Sequence, residues 1–205
     1  MPMKQQIGLV LELVALYGLV PAFFLLDISR TAVAAVLIGA FLYVIVQCIR
    51  LRLFHRDTQR PDWRAILPAF VVFALVSTAV LAAVRPELLF GPPRRAPQVW
   101  LTFLFIYSVF SVIPQALVFR VFFLERYRHL VSDERVLILL GAVTFAWAHT
   151  IINHPLVYVL TFCGGVLFAR TYLRSRSLVV TSVEHALYGA WLFTVGLGTV
   201  FAFPM

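Results

Sequence analysis

Charge is scarce in this chain. Asp, Glu, Lys and Arg make up 13% of its 205 residues, where an ordinary soluble domain carries about a quarter. Too few hydrated side chains are available to coat a globular surface, which argues against a water-soluble domain. Cysteine is nearly absent as well. Cys48 and Cys163 stand far apart in apolar segments, with no CxxC pair and no Cys/His spacing of a structural zinc site; both are expected to be buried thiols. Internal repeats and low-complexity segments are missing, and without inverted repeats or paired broken helices the chain fits a transporter poorly. A basic patch is also missing. The formal net charge is +8, but the arginines are spread over several short connections instead of one helix face, so nucleic acid is not the expected partner.

What the chain has in abundance is apolar sequence. Hydrophobic residues account for 62% of it, and the mean hydropathy is +0.95. A membrane-spanning helix needs roughly 20 mostly apolar residues. Runs of that kind lie at Ile7–Leu26, Ala32–Cys48, Ala65–Val84, Val99–Phe122, Val136–Ile152, Leu156–Leu173 and Leu178–Val200, parted by short segments rich in Arg, Pro, Asp and Ser. The expected fold is an all-α polytopic membrane bundle of about seven transmembrane helices, forming one integral-membrane domain over residues 1–205. The first run follows Lys4 in the manner of a signal peptide. Its length, its Glu12 and the lack of a small-residue cleavage site make it a spanning helix instead. Asp62 and the Ser132-Asp133-Glu134 segment are placed to start the third and fifth helices.

Loops on the cytoplasmic side carry the excess of Lys and Arg. With the N-terminus inside, Lys4, Arg50, Arg52, Arg56, Arg60, Arg64, Arg126, Arg128, Arg135, Arg170, Arg174 and Arg176 fall on that side. Arg30, Arg85, Arg94 and Arg95 fall outside, the last two in a Gly91-Pro92-Pro93-Arg94-Arg95 loop that is the weak point of the assignment. The expectation is a multi-pass protein of the cell inner membrane, with the N-terminus cytoplasmic and the C-terminus outside.

Ionisable groups are costly at membrane depth and mark candidate sites. In the fourth run Pro114 predicts a kink, and Ala116 and Arg120 share a face one turn apart. Arg120 has a plain reading too, in which it snorkels to the nearby interface. The fifth run sets Phe145 and His149 on one face, with Asn153 a further turn along, and the seventh places Glu184 beside His185. One arginine and two histidines on separate helices can converge inside a bundle. Glu12 faces either the same interior or the membrane surface.

These residues resemble the motifs of the CAAX-protease and bacteriocin-processing (CPBP) family of intramembrane endopeptidases. That family pairs Glu-Glu or Gln-Glu with a following Phe-Arg, then carries Phe-x-x-x-His, then a His in a later helix. Here the counterparts are Gln115-Ala116-Leu117-Val118-Phe119-Arg120, Phe145 through His149, and His185, all within a motif-bearing core of about residues 99–200. The resemblance implies a glutamic-type hydrolase acting on a peptide or on the tail of a membrane-anchored protein. A carboxylate at position 116 and His149 would activate water, Arg120 would orient the carboxylate, and His185 would stabilise the oxyanion. Gln115, Phe119, Phe145, Asn153 and Glu184 would support the site. No cofactor is expected, although two imidazoles, His149 and His185, with one carboxylate form a set able to ligate zinc.

Two departures stand out. Gly189 occupies the place of an Asn that usually follows the third-motif His by four residues. Ala116 occupies the place of the catalytic Glu. One reading of Ala116 is a Glu→Ala inactivation of a protease whose other motif residues remain; another is a non-catalytic pseudoprotease that binds peptides or serves as an immunity protein. In a third, Glu184 replaces the missing base.

Overall fold

The computed structural model describes residues 2–26, 28–55, 58 and 60–198. Seven of its helices are long and apolar enough to cross a membrane: α1 (Met3–Leu25), α2 (Arg30–Arg50), α3 (Trp63–Val84), α4 (Pro97–Tyr127), α5 (Glu134–Ile151), α6 (Pro155–Ser175) and α7 (Leu178–Val195). No strand occurs among the described residues. The chain is therefore an all-helical membrane bundle, and each apolar run of the sequence lies on one helix. Thr199 and Val200 at the end of the last run, and Arg56, lie outside the described residues.

Local chemistry sets the helix boundaries. Asp62 accepts a hydrogen bond from the Ala65 amide at 3.2 Å and starts α3, and Asp133 accepts from the amides of Arg135 at 2.7 Å and Val136 at 3.3 Å to start α5. Ser29 and Ser177 do the same for α2 and α7. Gly196 stops α7 with φ +118, against the Leu88 carbonyl, where no side chain fits. The Gly91–Arg95 segment, read from sequence as a loop, is a short helical turn, with the Arg94 guanidinium 5.7 Å from the Phe90 ring.

The expected kink at Pro114 takes another form. π-helical turns at Tyr107–Val112 and Leu117–Phe122 flank the proline on either side. Proline lacks the amide that would close an ordinary turn, and the helix widens around it. Such widenings displace backbone carbonyls and recur at functional sites. Tyr17, in a π turn of α1, donates to the Val118 carbonyl at 2.8 Å, while Trp147 of α5 donates to the Gly18 carbonyl at 3.0 Å. Side chains from neighbouring helices thus satisfy what the widened turns expose.

Small residues bring α5 and α6 together. A methyl group built on Gly165 would stand 2.7 Å from the Ala142 Cα, so the two backbones are in contact, as small-residue interfaces in lipid allow. Helix α7 is the most enclosed of the seven. It is tied to α3 by Trp191 donating to Ser77 at 3.0 Å, to α4 by Trp100 donating to Thr194 at 3.1 Å, and to α6 by Thr181 donating to the Phe168 carbonyl at 3.0 Å. Large apolar side chains such as Leu75, Phe110 and Val179 point outward, as a lipid solvent demands. Cys48 is buried as expected, but Cys163 is exposed on α6, where a lipid-facing position needs only to be apolar.

Two carboxylates clamp the end of α4. Glu12 accepts two hydrogen bonds from Arg126, both at 2.9 Å, one from Tyr43 at 2.7 Å and one from Tyr127 at 3.0 Å, joining α1, α2 and α4. The neighbouring Glu125 is bonded by Arg176 at 2.6 Å and Tyr172 at 3.2 Å, joining α4 to α6. Glu12 thus belongs to a structural clasp.

Candidate active site

The polar residues that convert this bundle from a packing problem into a chemical one gather around Phe145. Its ring carries the Arg120 guanidinium 4.5 Å from its centroid. The His149 ring meets it edge-on at 4.7 Å and the His185 ring at 5.6 Å. Phe119 packs edge-on at 5.2 Å. Helices α4, α5 and α7 each place one basic or imidazole group against this one ring. The His149 imidazole is further fixed by Nδ1, which lies 2.7 Å from the Phe145 carbonyl; if that nitrogen carries the proton, Nε2 is left as an acceptor.

Arg120 does not snorkel. It is 1% exposed, and its remaining contacts are the Phe119 carbonyl at 3.1 Å and the Phe168 ring at 5.7 Å. A desolvated guanidinium normally requires a carboxylate; among the described residues, none stands within ion-pairing distance of it. Four residues earlier on the same face, Ala116 is 2% exposed and offers only a methyl group. The rings of Phe145 and Phe168 hold the charge through cation–π contact instead.

Glu184 is the carboxylate whose field reaches Arg120. It is 1% exposed, and its Oε2 atom has no hydrogen-bond partner among the described residues. No hydrogen bond or ion pair joins Glu184 to either imidazole among the described residues. Being about 100° from His185 around the helix, it balances charge from the side.

Gln115 donates to Ser111 at 2.7 Å along α4, and its Oε1 is buried without a partner among the described residues. Asn153 lies apart. The α-helical part of α5 ends at Trp147, a tighter turn follows at Ala148–Ile151, and Asn153 sits exposed with φ +47, accepting from the Tyr158 hydroxyl at 3.4 Å. The continuous helix that would have put Asn153 above His149 is not there.

Two contributors are invisible to motif reading. Phe168 of α6 stacks on the His185 ring at 4.6 Å with an interplanar angle of 23°. Tyr107 of α4 approaches the same imidazole edge-on at 6.3 Å, and its hydroxyl rests on the backbone of Gly189, in the space that a Cβ there would fill. Gly189 was the one signal in the sequence: a glycine inside an apolar helix, one turn beyond a candidate histidine, marks a close approach.

As a metal site the donor set is short. Among the described residues no three His, Cys, Asp or Glu side chains are grouped to hold an ion; the third ligand beside His149 and His185 would have to come from position 116.

Residues 97–191 match the family model described as "Type II CAAX prenyl endopeptidase Rce1-like". The matched segment runs from the start of α4 into α7 and holds Ala116, Arg120, Phe145, His149 and His185. It supports the kinship with the CAAX-protease and bacteriocin-processing family inferred from the motifs, and that family is one of proteases. No curated protein and no solved structure matches the chain.

Proposed function

We propose that this chain is an intramembrane endopeptidase of the CAAX type in which Ala116 has taken the place of the water-activating glutamate, so that it captures a peptide or a membrane-anchored tail without cutting it. The observation that carries this reading is the convergence of Arg120, His149 and His185 from three helices on the Phe145 ring. A cluster of that composition is costly inside a membrane protein and is retained around a function.

With a carboxylate at position 116 the chemistry follows from the layout. Carboxylate and His149 draw a proton from a water molecule whose oxygen attacks the peptide carbonyl carbon. The carbonyl π electrons move onto oxygen, where His185 stabilises the charge. The C–N bond then breaks and the amine leaves with a proton returned by the acid. Arg120 orients the carboxylate by ion pairing. The mechanism is metal-free, and the site lies in a multi-pass inner-membrane protein with its N-terminus in the cytoplasm. Glu184 supplies charge balance for Arg120.

The test compares the purified chain with its Ala116→Glu variant in detergent, using a panel of tagged membrane-anchored peptides, with and without chelator, and mass spectrometry of the products. Cleavage by the variant alone, unaffected by chelator, is the expected result. Cleavage by the unmodified chain that Glu184→Gln abolishes would move the base to Glu184. Peptide binding by both forms with cleavage by neither would mark a pseudoprotease.

A further inference from the structure

The Tyr107 hydroxyl lies against α7 at Gly189, one turn beyond His185. Gly189 follows His185 by four residues and so lies on the same face of α7, one turn on. A Cβ at Gly189 would overlap the Tyr107 hydroxyl, whereas the bare glycine lets the phenol lie on the helix backbone. The ring is held rigidly, stacked with Phe103 at 6.1 Å and edge-on to Phe193 at 5.0 Å. It stands perpendicular to the His185 imidazole, centroid to centroid 6.3 Å.

The hydroxyl is uncommitted. Tyr17, Tyr43, Tyr127, Tyr158 and Tyr172 spend theirs on carbonyl, carboxylate or amide oxygens, whereas Tyr107 and Tyr188 make no hydrogen bond among the described residues, and of these two it is Tyr107 whose hydroxyl lies on the α7 backbone at Gly189. Tyr107 is half-buried, so its hydroxyl stays reachable, and a phenol O–H in such a place gains free energy when it finds an acceptor. Beside His185, the acceptor that the site's chemistry provides is the carbonyl oxygen of a bound peptide.

We propose that Tyr107 is a catalytic donor, its O–H forming with the His185 N–H the pocket that receives the substrate carbonyl oxygen. This rests on the proteolytic reading of the site. As the water oxygen bonds to the carbonyl carbon, the π pair moves onto the carbonyl oxygen, and both donors strengthen their hydrogen bonds to it without giving up their protons. Collapse returns the pair to the C=O bond as the C–N bond breaks, and the leaving nitrogen takes its proton from the acid at position 116. Gly189 is the permissive partner, since any side chain there expels the phenol.

The experiment measures kcat and KM for the Ala116→Glu chain with and without Tyr107→Phe, which deletes the hydroxyl and keeps the ring packed. Removing one oxyanion donor costs about 10²–10³ in kcat. The expectation is a fall of that order, with KM within about twofold and unchanged thermal stability. A kcat within about threefold of the Ala116→Glu parent would overturn the role of Tyr107 and leave the protease reading intact. A loss of kcat accompanied by a lowered melting temperature would also overturn it, because the role would then be structural. No cleavage by the Ala116→Glu chain would overturn the protease reading and this proposal with it.

Discussion

Arg120 should respond to a carboxylate at position 116 as a buried charge responds to its missing partner. The guanidinium is 1% exposed and is held by one backbone carbonyl and two phenyl rings. Leaving a buried ion without its partner costs about 3–5 kcal/mol, and a desolvated cation–π contact returns about 2 kcal/mol of that. Ala116→Glu sets a carboxylate four residues before the arginine on the same face, the favourable order for a helical ion pair. The net gain is then about 1–3 kcal/mol. For a chain of this size each kcal/mol moves Tm by about 2–4 °C, so a rise of about 4–8 °C is expected for a gain near the middle of that range. The assay is thermal unfolding in detergent of the parent, Ala116→Glu and Ala116→Gln, the glutamine filling the same volume without charge. A double-mutant cycle with Arg120→Met isolates the pair. If glutamine stabilises as much as glutamate, or if the gain from glutamate survives Arg120→Met, Arg120 is not an orphaned ion and the reasoning fails.

Two further substitutions probe the scaffold. Glu12→Gln breaks a bidentate pair with Arg126 whose side chains are 11% and 24% exposed, and weakens the bonds from Tyr43 and Tyr127; a loss of about 2–3 kcal/mol is expected, read as a lower Tm. Gly165→Ala must force α5 and α6 apart, because the atom that it meets is the Ala142 Cα, which cannot rotate away; overpacking of this kind costs about 1–3 kcal/mol. Gly39→Ala, with nothing within 4 Å of the new methyl, should instead stabilise by about 0.5–1 kcal/mol through helix propensity. Equal responses at the two glycines would contradict the close α5–α6 contact.

Lipid made the fold easy to read and the site partly so. A helix in hydrocarbon must satisfy its backbone internally, so seven apolar runs translated directly into seven helices. The caps at Asp62 and Asp133 follow from side-chain chemistry that acts over three residues. Motif spacing likewise brought Arg120, His149 and His185 into view, because each marks a charge or imidazole that lipid would not tolerate idly. Departures arose where tertiary contact overrode local pattern. Arg120 reads as a snorkelling residue by its distance from the helix end, yet the rings of Phe145 and Phe168, 25 and 48 positions away, provide the pocket that keeps it inside. Asn153 reads as one more helical turn, but α5 tightens and stops first.

Tyr107 shows why such contacts escape a sequence pattern. It stands 82 residues before Gly189 and in no motif; only the absence of a side chain on α7 hints that something from elsewhere occupies the space. The same reasoning assigns meaning to the two departures from the family pattern together. At Gly189 the space of the missing side chain is taken by the Tyr107 hydroxyl arriving from α4, which on the proposed reading keeps a donor beside His185. At Ala116 no carboxylate arrives in exchange: among the described residues Glu184 is near enough for its charge to act on Arg120 but forms no ion pair with it and no hydrogen bond with either imidazole. On the proposed reading, the site then keeps groups suited to receiving a carbonyl oxygen and lacks the group suited to activating water, and the Ala116→Glu comparison tests that asymmetry directly.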